Sequence, residues 1–363
     1  MEPTYGQNYQ IDGWESFGPI TVTRDSSYGF SECLPVASLT DEIVSAILKA
    51  WPKIRGYPER EGKPAWTMYP TIMVSVSGGS DSDIMLDMIE RIGHPLSDVK
   101  YVYFDTGMEY EATKQHIEFL QAKYGVVIES IKAKVPVPLG CKRYGLPFLS
   151  KKISQNIYRL QKHGFKWEDK PFEELYAEYP RCKSALRWWC NKWGENSKLN
   201  ISRRKWLKEF MILNPPDFPI SDKCCDGAKK STAKFAEDKY KPNLVCTGVR
   251  KAEGGARSTC YTSCFSENFG KADSLRPIFW FKKADKSAYE KLFGVEHSAC
   301  YTLYGLDRVG CSCCPFGKYW EIELEAARMY EPKLHKAALN VFGKSYEYTR
   351  KYQAFKNEME GHQ

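Results

Sequence analysis

Residues 77–82 read Ser-Gly-Gly-Ser-Asp-Ser and lie between an apolar run and a helical pattern. Two adjacent glycines let a backbone approach a ligand closely, and the hydroxyls of Ser77, Ser80 and Ser82 can donate hydrogen bonds to phosphate oxygens. Unpaired amides at the start of the following helix would add further donors for an anion. The loop therefore predicts a phosphate site, and a plain flexible Gly-Ser turn is the alternative.

A second group of reactive residues is formed by cysteines. Cys224 and Cys225 are adjacent, and Cys311 and Cys314 form a C-x-x-C motif followed by proline. Thiolates are soft ligands that select zinc or iron–sulfur clusters. Two adjacent cysteines reach two irons of a cubane more easily than one tetrahedral ion. The pattern favours a 4Fe-4S cluster over zinc and over unligated core thiols, with Cys313 as a spare thiol.

Strands and helices alternate around the Gly-Ser loop. Residues 71–77 read as a buried strand, 82–93 as a helix, 99–107 as a second strand, and 243–250 as a later strand that rejoins the sheet. Such alternation predicts an α/β fold with a doubly wound parallel sheet. Ligands of such sheets bind beyond the carboxyl ends of the strands, which is where the loop lies.

The loop lacks the lysine of a Walker motif, so it is not a P-loop. It resembles the pyrophosphate loop of the adenine nucleotide α-hydrolase (PP-loop ATP pyrophosphatase) superfamily, whose members hold the β and γ phosphates of ATP and cleave between α and β. "YFDTGMEYEAT" (103–113) resembles the DTG segment of the phosphoadenosine phosphosulfate (PAPS) reductase branch, and "GVRKAEGGARS" (248–258) its Gly-x-Arg segment. The resemblance implies ATP contacts from Ser77, Gly78, Gly79, Ser80, Asp81, Ser82, Asp105, Thr106, Gly107, Arg250 and Arg257, with Asp81 also catalytic.

An acid at a strand end, Asp105, could hold Mg²⁺ or ribose, or could cap a helix. Later segments, "LRPIFWFKKADKSAYEKLFG" (275–294) and "CYTLYGLDRVGCSCCPFG" (300–317), resemble the later pattern of the same branch. The distant pairing of the tandem cysteines with C-x-x-C resembles the cluster signature of adenylylsulfate (APS) reductases. The resemblance spans residues 71–317.

The same patterns predict three segments in the chain. We expect an N-terminal extension over 1–70, a PAPS reductase-like nucleotide-binding domain over 71–317 with an insertion at about 140–240, and a helical C-terminal region over 318–363.

Cys190 is a further candidate. "SALRWWCNKW" (184–193) resembles the R-W-C-T segment of phage and DNA-phosphorothioation members of the branch, without the final threonine. The resemblance implies a catalytic sulfur carrier or a further cluster ligand, with Cys182 a weaker candidate for the same roles. An inert buried thiol is the alternative for both.

Residues 181–210 mix lysine and arginine with four tryptophans. Rings beside cations can stack bases while the charges follow phosphates, which suits a nucleic-acid substrate such as tRNA or DNA. Amphipathic helices with tryptophans in the core are the alternative, which we favour slightly.

Composition limits the classes of protein. The chain has 363 residues, a net charge of +8 and 42% hydrophobic residues, and no stretch reads as a signal peptide or membrane span. Thirteen cysteines in a large chain without an export signal favour metal or sulfur chemistry over disulfides. We expect a cytoplasmic homo-oligomer that does not bind membranes.

These observations lead to one principal function and two alternatives. The principal hypothesis is an ATP-dependent sulfurtransferase that adenylates an acceptor and receives sulfur from a cysteine desulfurase or sulfide, with ATP, Mg²⁺ and a 4Fe-4S cluster as cofactors. A sulfonucleotide (APS or PAPS) reductase is the first alternative, although the resemblance implies a nucleophilic cysteine in a C-terminal tail, and here the tail reads "NEMEGHQ". A cluster-bearing nucleotide sensor, or a subunit of a modification or defence complex, is the second.

Overall fold

The computed structural model describes residues 8–9, 22–23, 40–57, 59, 62–254 and 260–361. The chain divides into two compact units, each built from separate stretches of sequence. The first unit comprises residues 1–104, 111–131 and 233–310, and the second comprises 105–110, 132–232 and 311–363.

The strands form one six-stranded sheet and one short two-stranded ribbon. In chain order they are β1 Asn8–Tyr9, β2 Val22–Thr23, β3 Thr71–Ser75, β4 Asp98–Asp105, β5 Ile128–Lys132, β6 Leu244–Thr247, β7 Phe265–Ser266 and β8 Asp273–Leu275. The order in the large sheet is β5-β4-β3-β6-β8-β7, and β1 pairs with β2. β3 runs parallel to β4 and β6, β6 runs parallel to β8, and β7 is antiparallel to β8. The predicted α/β fold with a mostly parallel sheet is confirmed.

Fourteen α-helical segments are described in these ranges. In chain order they are α1 Asp41–Ile54, α2 Ser80–Ile92, α3 Glu111–Tyr124, α4 Val137–Tyr144, α5 Lys151–Lys162, α6 Phe172–Glu178, α7 Lys183–Trp189, α8 Leu207–Leu213, α9 Lys223–Cys225, α10 Ser231–Tyr240, α11 Lys283–Phe293, α12 Ala299–Thr302, α13 Trp320–Tyr330 and α14 Pro332–Gly361. A π-helical turn, Asp226–Lys230, joins α9 to α10.

Both faces of the sheet in the first unit are covered. Side chains of a strand alternate between faces, and those of β3 divide accordingly: Ile72 and Val74 belong to the main core with α1 and α2, whereas Met73 belongs to a smaller cluster with Val102 and Ala236. The apolar run before the loop is therefore buried on both sides, as a central parallel strand requires.

Local signals set the ends of the helices beside β3. Thr40 accepts a hydrogen bond from the Ile43 amide at 3.4 Å and so caps α1. α2 begins after Gly79 with Asp81 and Asp83 in its first turn, where negative charge stabilises the helix dipole, and it ends at Gly93 with φ of 71°. The sequence analysis predicted α2.

The second unit is helical and has a core rich in aromatic side chains. Trp189 is fully buried and meets Phe165 edge-to-face at 5.4 Å between ring centroids. The long helix α14 adds Tyr348 and Tyr352 to this core, at 5.0 and 5.4 Å from the ring of Phe210. Trp188 and Trp189 of the basic aromatic stretch are thus core residues, as the favoured interpretation expected. None of the described helices combines the length and apolarity that crossing a membrane requires.

A candidate phosphate loop and a buried thiol group

The Gly-Ser loop lies at the point where the strand order of the sheet reverses. The chain leaves β3 toward β4 on one side, and β6 flanks β3 on the other. Such a switch point opens a crevice beyond the carboxyl ends of the strands. Residues 77–82 follow β3, and Gly248 and Arg250 follow β6, so the topology brings two predicted segments to one edge of the sheet.

Two glycines let the backbones at this edge approach closely. Gly78 has φ of +65°, and a Cβ there would lie 2.8 Å from Cγ2 of Thr113. A Cβ on Gly248 would lie 2.9 Å from both the Asp81 carbonyl oxygen and the Ser82 nitrogen. Glycine is required at both positions, because any side chain would push the loop away from its neighbours.

The serines of the loop have different tasks. The Ser82 hydroxyl accepts hydrogen bonds from the Ser77 amide and the Ser77 hydroxyl, both at 3.1 Å, and donates to the Gly79 carbonyl at 2.8 Å. Ser82 therefore closes the loop on itself. Ser80, in contrast, makes contacts outside the loop. Its hydroxyl accepts a hydrogen bond from the ammonium of Lys286, and its amide donates to the hydroxyl of Tyr301.

Charged side chains converge on Asp81. Nε of Arg250 lies 2.8 Å and Nζ of Lys286 lies 3.2 Å from its Oδ1, and Lys286 also donates to Oγ of Ser80. Burial would raise the pKa of Asp81, but a hydrogen bond with Glu253 and the charges of Lys286 and Arg250 outweigh it, so the pKa lies below its usual range. Arg250 was predicted at this site, whereas no motif pointed to Lys286.

The first amide of α2 bonds to another part of the first unit. Ser80 N–H donates to the Tyr301 hydroxyl at 3.1 Å. Burial raises the pKa of Tyr301 to about 12, so the group stays a neutral hydroxyl. A protein oxygen therefore lies where an anionic ligand would accept from the helix N-terminus.

A buried acid–histidine network supports the first turn of α2. Oδ2 of Asp83 lies 3.0 Å from Nε2 of His116 and 2.8 Å from Nδ1 of His297, whose Nε2 lies 2.8 Å from Oε1 of Glu290. Burial would lower the pKa of His297, but hydrogen bonds to Asp83 and Glu290 raise it to about 9. His297 is therefore a cation at neutral pH. Scattered histidines gave no signal for this network in the sequence.

The DTG segment lies in the second unit. The Asp105 side chain accepts a hydrogen bond from the Gly107 amide at 2.9 Å, which forms a tight turn and not a helix cap. A Cβ on Gly107 would lie 2.7 Å from Cβ of Pro136, and φ there is +80°. Oγ1 of Thr106 lies 2.5 Å from Oε1 of Glu109 and 3.4 Å from Sγ of Cys311. Thr106 thus contacts the C-x-x-C motif.

The four predicted cluster cysteines are neighbours in the second unit, and all are free thiols. Cys224 and Cys225 follow each other at the start of α9. The pKa of the Cys311 thiol is influenced by Cys225, and that of Cys314 by Cys311 and Cys225. The fold therefore brings together two pairs of cysteines that are separated by eighty-five residues of sequence.

Burial makes these thiols neutral. It raises the pKa of Cys311 and Cys314, and thiol–thiol hydrogen bonding together with burial raises the pKa of Cys224 and Cys225. Only a cationic partner would offset the cost of four buried thiolates. Within the described residues, no three His, Cys, Asp or Glu side chains are arranged to hold a metal ion. Grouped thiols are the donors that zinc and iron–sulfur clusters take.

The ammonium of Lys229 lies near the thiols, although the residue itself is exposed. Desolvation would lower the pKa of Lys229, but Cys311, Glu109 and Cys225 raise it above its usual range. Burial raises the pKa of Glu109 to about 7, despite its hydrogen bonds from Thr106. Lys229 lies on the π-helical turn after the tandem cysteines, and such turns often occur at functional sites.

A fifth cysteine, Cys141, lies next to the thiol group. A hydrogen bond with Cys141 is the largest cause that raises the pKa of Cys224. The preceding Gly140 lets the helices meet, because a Cβ there would lie 3.0 Å from Cα of Cys224. In the sequence, the one feature that could have pointed to Cys141 was the adjacent Gly140.

The remaining candidates lie elsewhere. Cys190 is half-buried beside the aromatic core, and its charged neighbours are Lys208, Asp169, Lys192 and Glu173.

Two further cysteines have structural partners. Cys182 donates to the Arg159 carbonyl at 3.4 Å. Cys313 is fully buried with its amide 3.0 Å from Oε2 of Glu323, so it supports the motif. Arg257 lies outside the described residues.

Comparison with known proteins agrees with this architecture. Residues 71–148 match the family described as the phosphoadenosine phosphosulfate reductase domain. An uncharacterized protein of Methanocaldococcus jannaschii is 31% identical over 275 residues, which are 72% of this chain and 40% of the relative. The chain thus spans less than half the length of that relative.

Two solved structures are similar to this chain at low identity. A PAPS reductase from Candida auris has 16% identity and a TM-score of 0.37, covering 67% of this chain and 82% of its own. The U34-tRNA thiolase NcsA of Methanococcus maripaludis, solved with its 4Fe-4S cluster, has 12% identity and a TM-score of 0.36, covering 86% of this chain and 80% of its own. Likenesses this distant do not bear on what the chain does.

The sheet and the loop define an α/β protein with a glycine-containing loop at the switch point of its sheet. Residues 71–148 match the PAPS reductase domain, which confirms that part of the resemblance found in the sequence.

Proposed function

We propose that the protein is an ATP-dependent sulfurtransferase that adenylates an acceptor and then replaces the adenylate with sulfur. The observation that carries the proposal is the loop at the switch point of the sheet, where Arg250 and Lys286 converge on Asp81 beside the amide and hydroxyl of Ser80. A chain that also groups four thiols has the donors for sulfur chemistry.

In this proposal the loop binds the β and γ phosphates of ATP. Amides at the start of α2 donate to phosphate oxygens, and the guanidinium of Arg250 adds a fixed pair of donors. Asp81 is the carboxylate available to Mg²⁺, which would bridge phosphate oxygens and neutralise part of their charge. Donors held in place before the reaction stabilise the charge that develops on the leaving pyrophosphate.

Two displacements complete the reaction. An oxygen of the acceptor attacks the α-phosphorus of ATP, the bond to the β-phosphate oxygen breaks, and pyrophosphate leaves. Sulfur at the oxidation level of sulfide then attacks the carbon that bears the adenylate, and AMP leaves. Adenylation is useful because AMP is a far better leaving group than the original oxygen.

Cys224, Cys225, Cys311 and Cys314 would hold the 4Fe-4S cluster in the second unit. Such a cluster, with one thiolate on each of its four irons, would supply an electron-transfer centre. The ammonium of Lys229 would offset the negative charge of the thiolates, and the hydroxyl oxygen of Thr106 lies 3.4 Å from Sγ of Cys311. Both groups orient the thiols without taking part in the displacements. Cys190 is proposed as the carrier of sulfur that arrives as a persulfide from a cysteine desulfurase, and a thiol reductant would cleave that persulfide and release the sulfur as sulfide.

Nucleic acid, either tRNA or DNA, is the proposed acceptor class. The exposed side of the basic aromatic stretch carries seven cations in the second unit: Arg181, Lys183, Lys192, Lys198, Arg203, Arg204 and Lys205. Clustered cations follow a phosphate backbone and make binding depend on salt. Sulfide or a cysteine desulfurase would supply sulfur.

A turnover screen tests the proposal directly. Protein purified without oxygen is analysed for iron and sulfide and then incubated with ATP, Mg²⁺, sulfide and either tRNA or DNA. We expect AMP and pyrophosphate in equal amounts and sulfur in the nucleic acid. Failure of every acceptor to stimulate AMP release would contradict an enzyme of this kind and favour a nucleotide sensor.

A sulfonucleotide reductase is the second candidate, because the matched family is named for PAPS reductase. Such an enzyme would form sulfite from APS or PAPS with a thiol reductant and would not consume ATP. The same preparation can be assayed for both reactions. Sulfite formation without AMP release from ATP would replace the first proposal with this one.

A further inference from the structure

Lys286 lies at the candidate phosphate loop although it comes from a distant helix. It stands in α11, and its side chain is only 17% exposed. Its ammonium contacts Oγ of Ser80 and lies 3.2 Å from Oδ1 of Asp81. Lysine side chains normally keep their charge in water, so a buried ammonium at this place needs a reason.

The helix dipole makes that position costly for a cation. The N-terminus of α2 carries partial positive charge, and Lys286 and Arg250 bring two full positive charges to the same oxygen of Asp81. Arg250 Nε and Asp81 Oδ1 are 2.8 Å apart, yet neither atom has a hydrogen bond of proper geometry in the described part of the chain. Although Glu253 is hydrogen-bonded to Asp81, Oδ1 of Asp81 thus meets both cations without a hydrogen bond of proper geometry to either.

Glu290 does not compensate for this excess, because it pairs more closely elsewhere. Its Oε1 lies 2.8 Å from Nε2 of His297 and 3.7 Å from Nζ of Lys286. The His297 cation thus takes the nearer contact, and the network under α2 directs Lys286 toward the loop. Ser80 and Asp81 then hold it there.

The Tyr301 hydroxyl marks where a ligand oxygen would bind. It accepts the Ser80 amide at 3.1 Å and lies 3.4 Å from the place of a Cβ on Gly79. No side chain caps the helix at Gly79, so the amide is satisfied by an oxygen from another part of the first unit. An anion that replaced this hydroxyl would lie beside the ammonium that contacts Ser80 Oγ.

We propose that Lys286 binds the terminal phosphates of a pyrophosphate-bearing ligand and so supplies the cation that the lysine-free loop sequence lacks. In the free protein, Asp81 and Ser80 hold the ammonium in position. Arrival of the ligand with Mg²⁺ draws Asp81 to the metal and turns Lys286 and Arg250 to phosphate oxygens. This inference rests on the proposed function, because it assigns a further binding residue to the same loop.

Calorimetric titration of the full chain with inorganic pyrophosphate, ATP and AMP, each with Mg²⁺, tests the role of Lys286. Lys286→Met keeps most of the aliphatic stem and removes the charge. Its affinity for pyrophosphate and for ATP should fall about 10- to 100-fold, as expected for losing a hydrogen bond to a charged group. Its affinity for AMP should stay within about 3-fold, because AMP lacks the two terminal phosphates.

Two further variants separate charge from structure. Lys286→Arg should retain pyrophosphate affinity within about 5-fold, because it keeps the charge. Lys283→Met removes an exposed lysine of the same helix and should bind all three ligands like the wild type. If Lys286→Met does not fold, Lys286→Gln carries the same expectation, since it is polar but uncharged.

Each outcome decides between the two proposals. If Lys286→Met binds pyrophosphate as tightly as the wild type, the inference is wrong while the proposed function stands. Equal losses for AMP and pyrophosphate would show a structural role and would also overturn it. A wild-type protein that binds neither ATP nor pyrophosphate would overturn the proposed function and the inference together.

Discussion

The phosphate loop and the thiol group differ in whether their acidic side chains are ionised. Around the loop, partners keep groups ionised: the pKa of Asp81 is lowered and that of His297 is raised to about 9. Around the thiols, burial keeps groups neutral, since it raises the pKa of Cys311 and raises that of Glu109 to about 7. The first region is prepared to exchange charged partners, whereas the thiols of the second lose their protons only when a cation binds, and Lys229 is the group there that stays charged.

The regions also differ in how the chain builds them. Six consecutive residues form the loop, and its internal bonds run between near neighbours such as Ser77 and Ser82. The thiols come from two stretches that only the fold brings together. A change in one region should therefore leave the other intact, which can be tested from both sides.

Removing one of the proposed cluster ligands should have the strongest effect, which is loss of iron and sulfide. Cys311→Ala should remove nearly all iron and sulfide and bleach the visible absorbance of an anaerobic preparation, because a buried cluster cannot replace one thiolate with water at low cost. Pyrophosphate affinity should not change. Cys182→Ala, which alters another buried thiol of the second unit, is the control and should stay coloured. Stoichiometric zinc without sulfide in the wild type would contradict the cluster.

The converse change acts on the loop. Asp81→Asn should lower acceptor-dependent AMP formation by about 100- to 1,000-fold, because the site loses the carboxylate available to Mg²⁺. Ser80→Ala should act in the same direction. Iron content and colour should match the wild type, as should the activity of Asp98→Asn, a surface control in the first unit. Loss of both AMP formation and iron in Asp81→Asn would show that the two regions are not independent.

A smaller effect concerns the ionised network. The folded-state pKa of His297 is raised from 6.5 to about 9, so its contribution to stability is complete below pH 6.5 and is lost as the pH rises through 9. His297→Gln should lower the free energy of unfolding by about 1–2 kcal/mol at pH 6, a figure reduced for solvent screening, and by much less at pH 9.5.

Urea denaturation at several pH values measures the effect of His297→Gln. His335→Gln, in the second unit, is the comparison and should follow the pH dependence of the wild type. A deficit in His297→Gln that stays constant from pH 6 to pH 9.5 would contradict a charged His297.

Packing next to the thiol group should have the weakest effect on stability. Gly140→Ala should lower the free energy of unfolding by about 1 kcal/mol and reduce iron content, because its Cβ would lie 3.0 Å from Cα of Cys224. Gly343→Ala, inside α14 with no described atom within 4 Å of the new Cβ, should raise it by about 0.5–1 kcal/mol. Equal stabilisation in both variants would show that helix propensity outweighs the contact at Gly140.

Much of the architecture could be predicted because its signals are local. Neighbouring residues determine where α1 is capped by Thr40, where α2 ends at Gly93 and where β3 runs. The positions of these elements therefore follow from residue types. Cysteine spacing indicated which thiols belong to one group, although it did not show how the fold brings them together. The basic aromatic stretch was ambiguous, since a tryptophan that stacks bases and one that fills a core have the same sequence pattern.

The sequence by itself determined the parallel α/β sheet, the glycine-containing loop after β3 and the identity of four candidate thiols. Only the tertiary structure decided that Lys286 and Tyr301 meet Ser80, that His116 and His297 flank Asp83, and that Cys141 joins Cys224. Backbone geometry within a few residues depends on their own side chains and torsions. Contacts between distant segments depend on how whole elements pack, and no pattern along the chain records that.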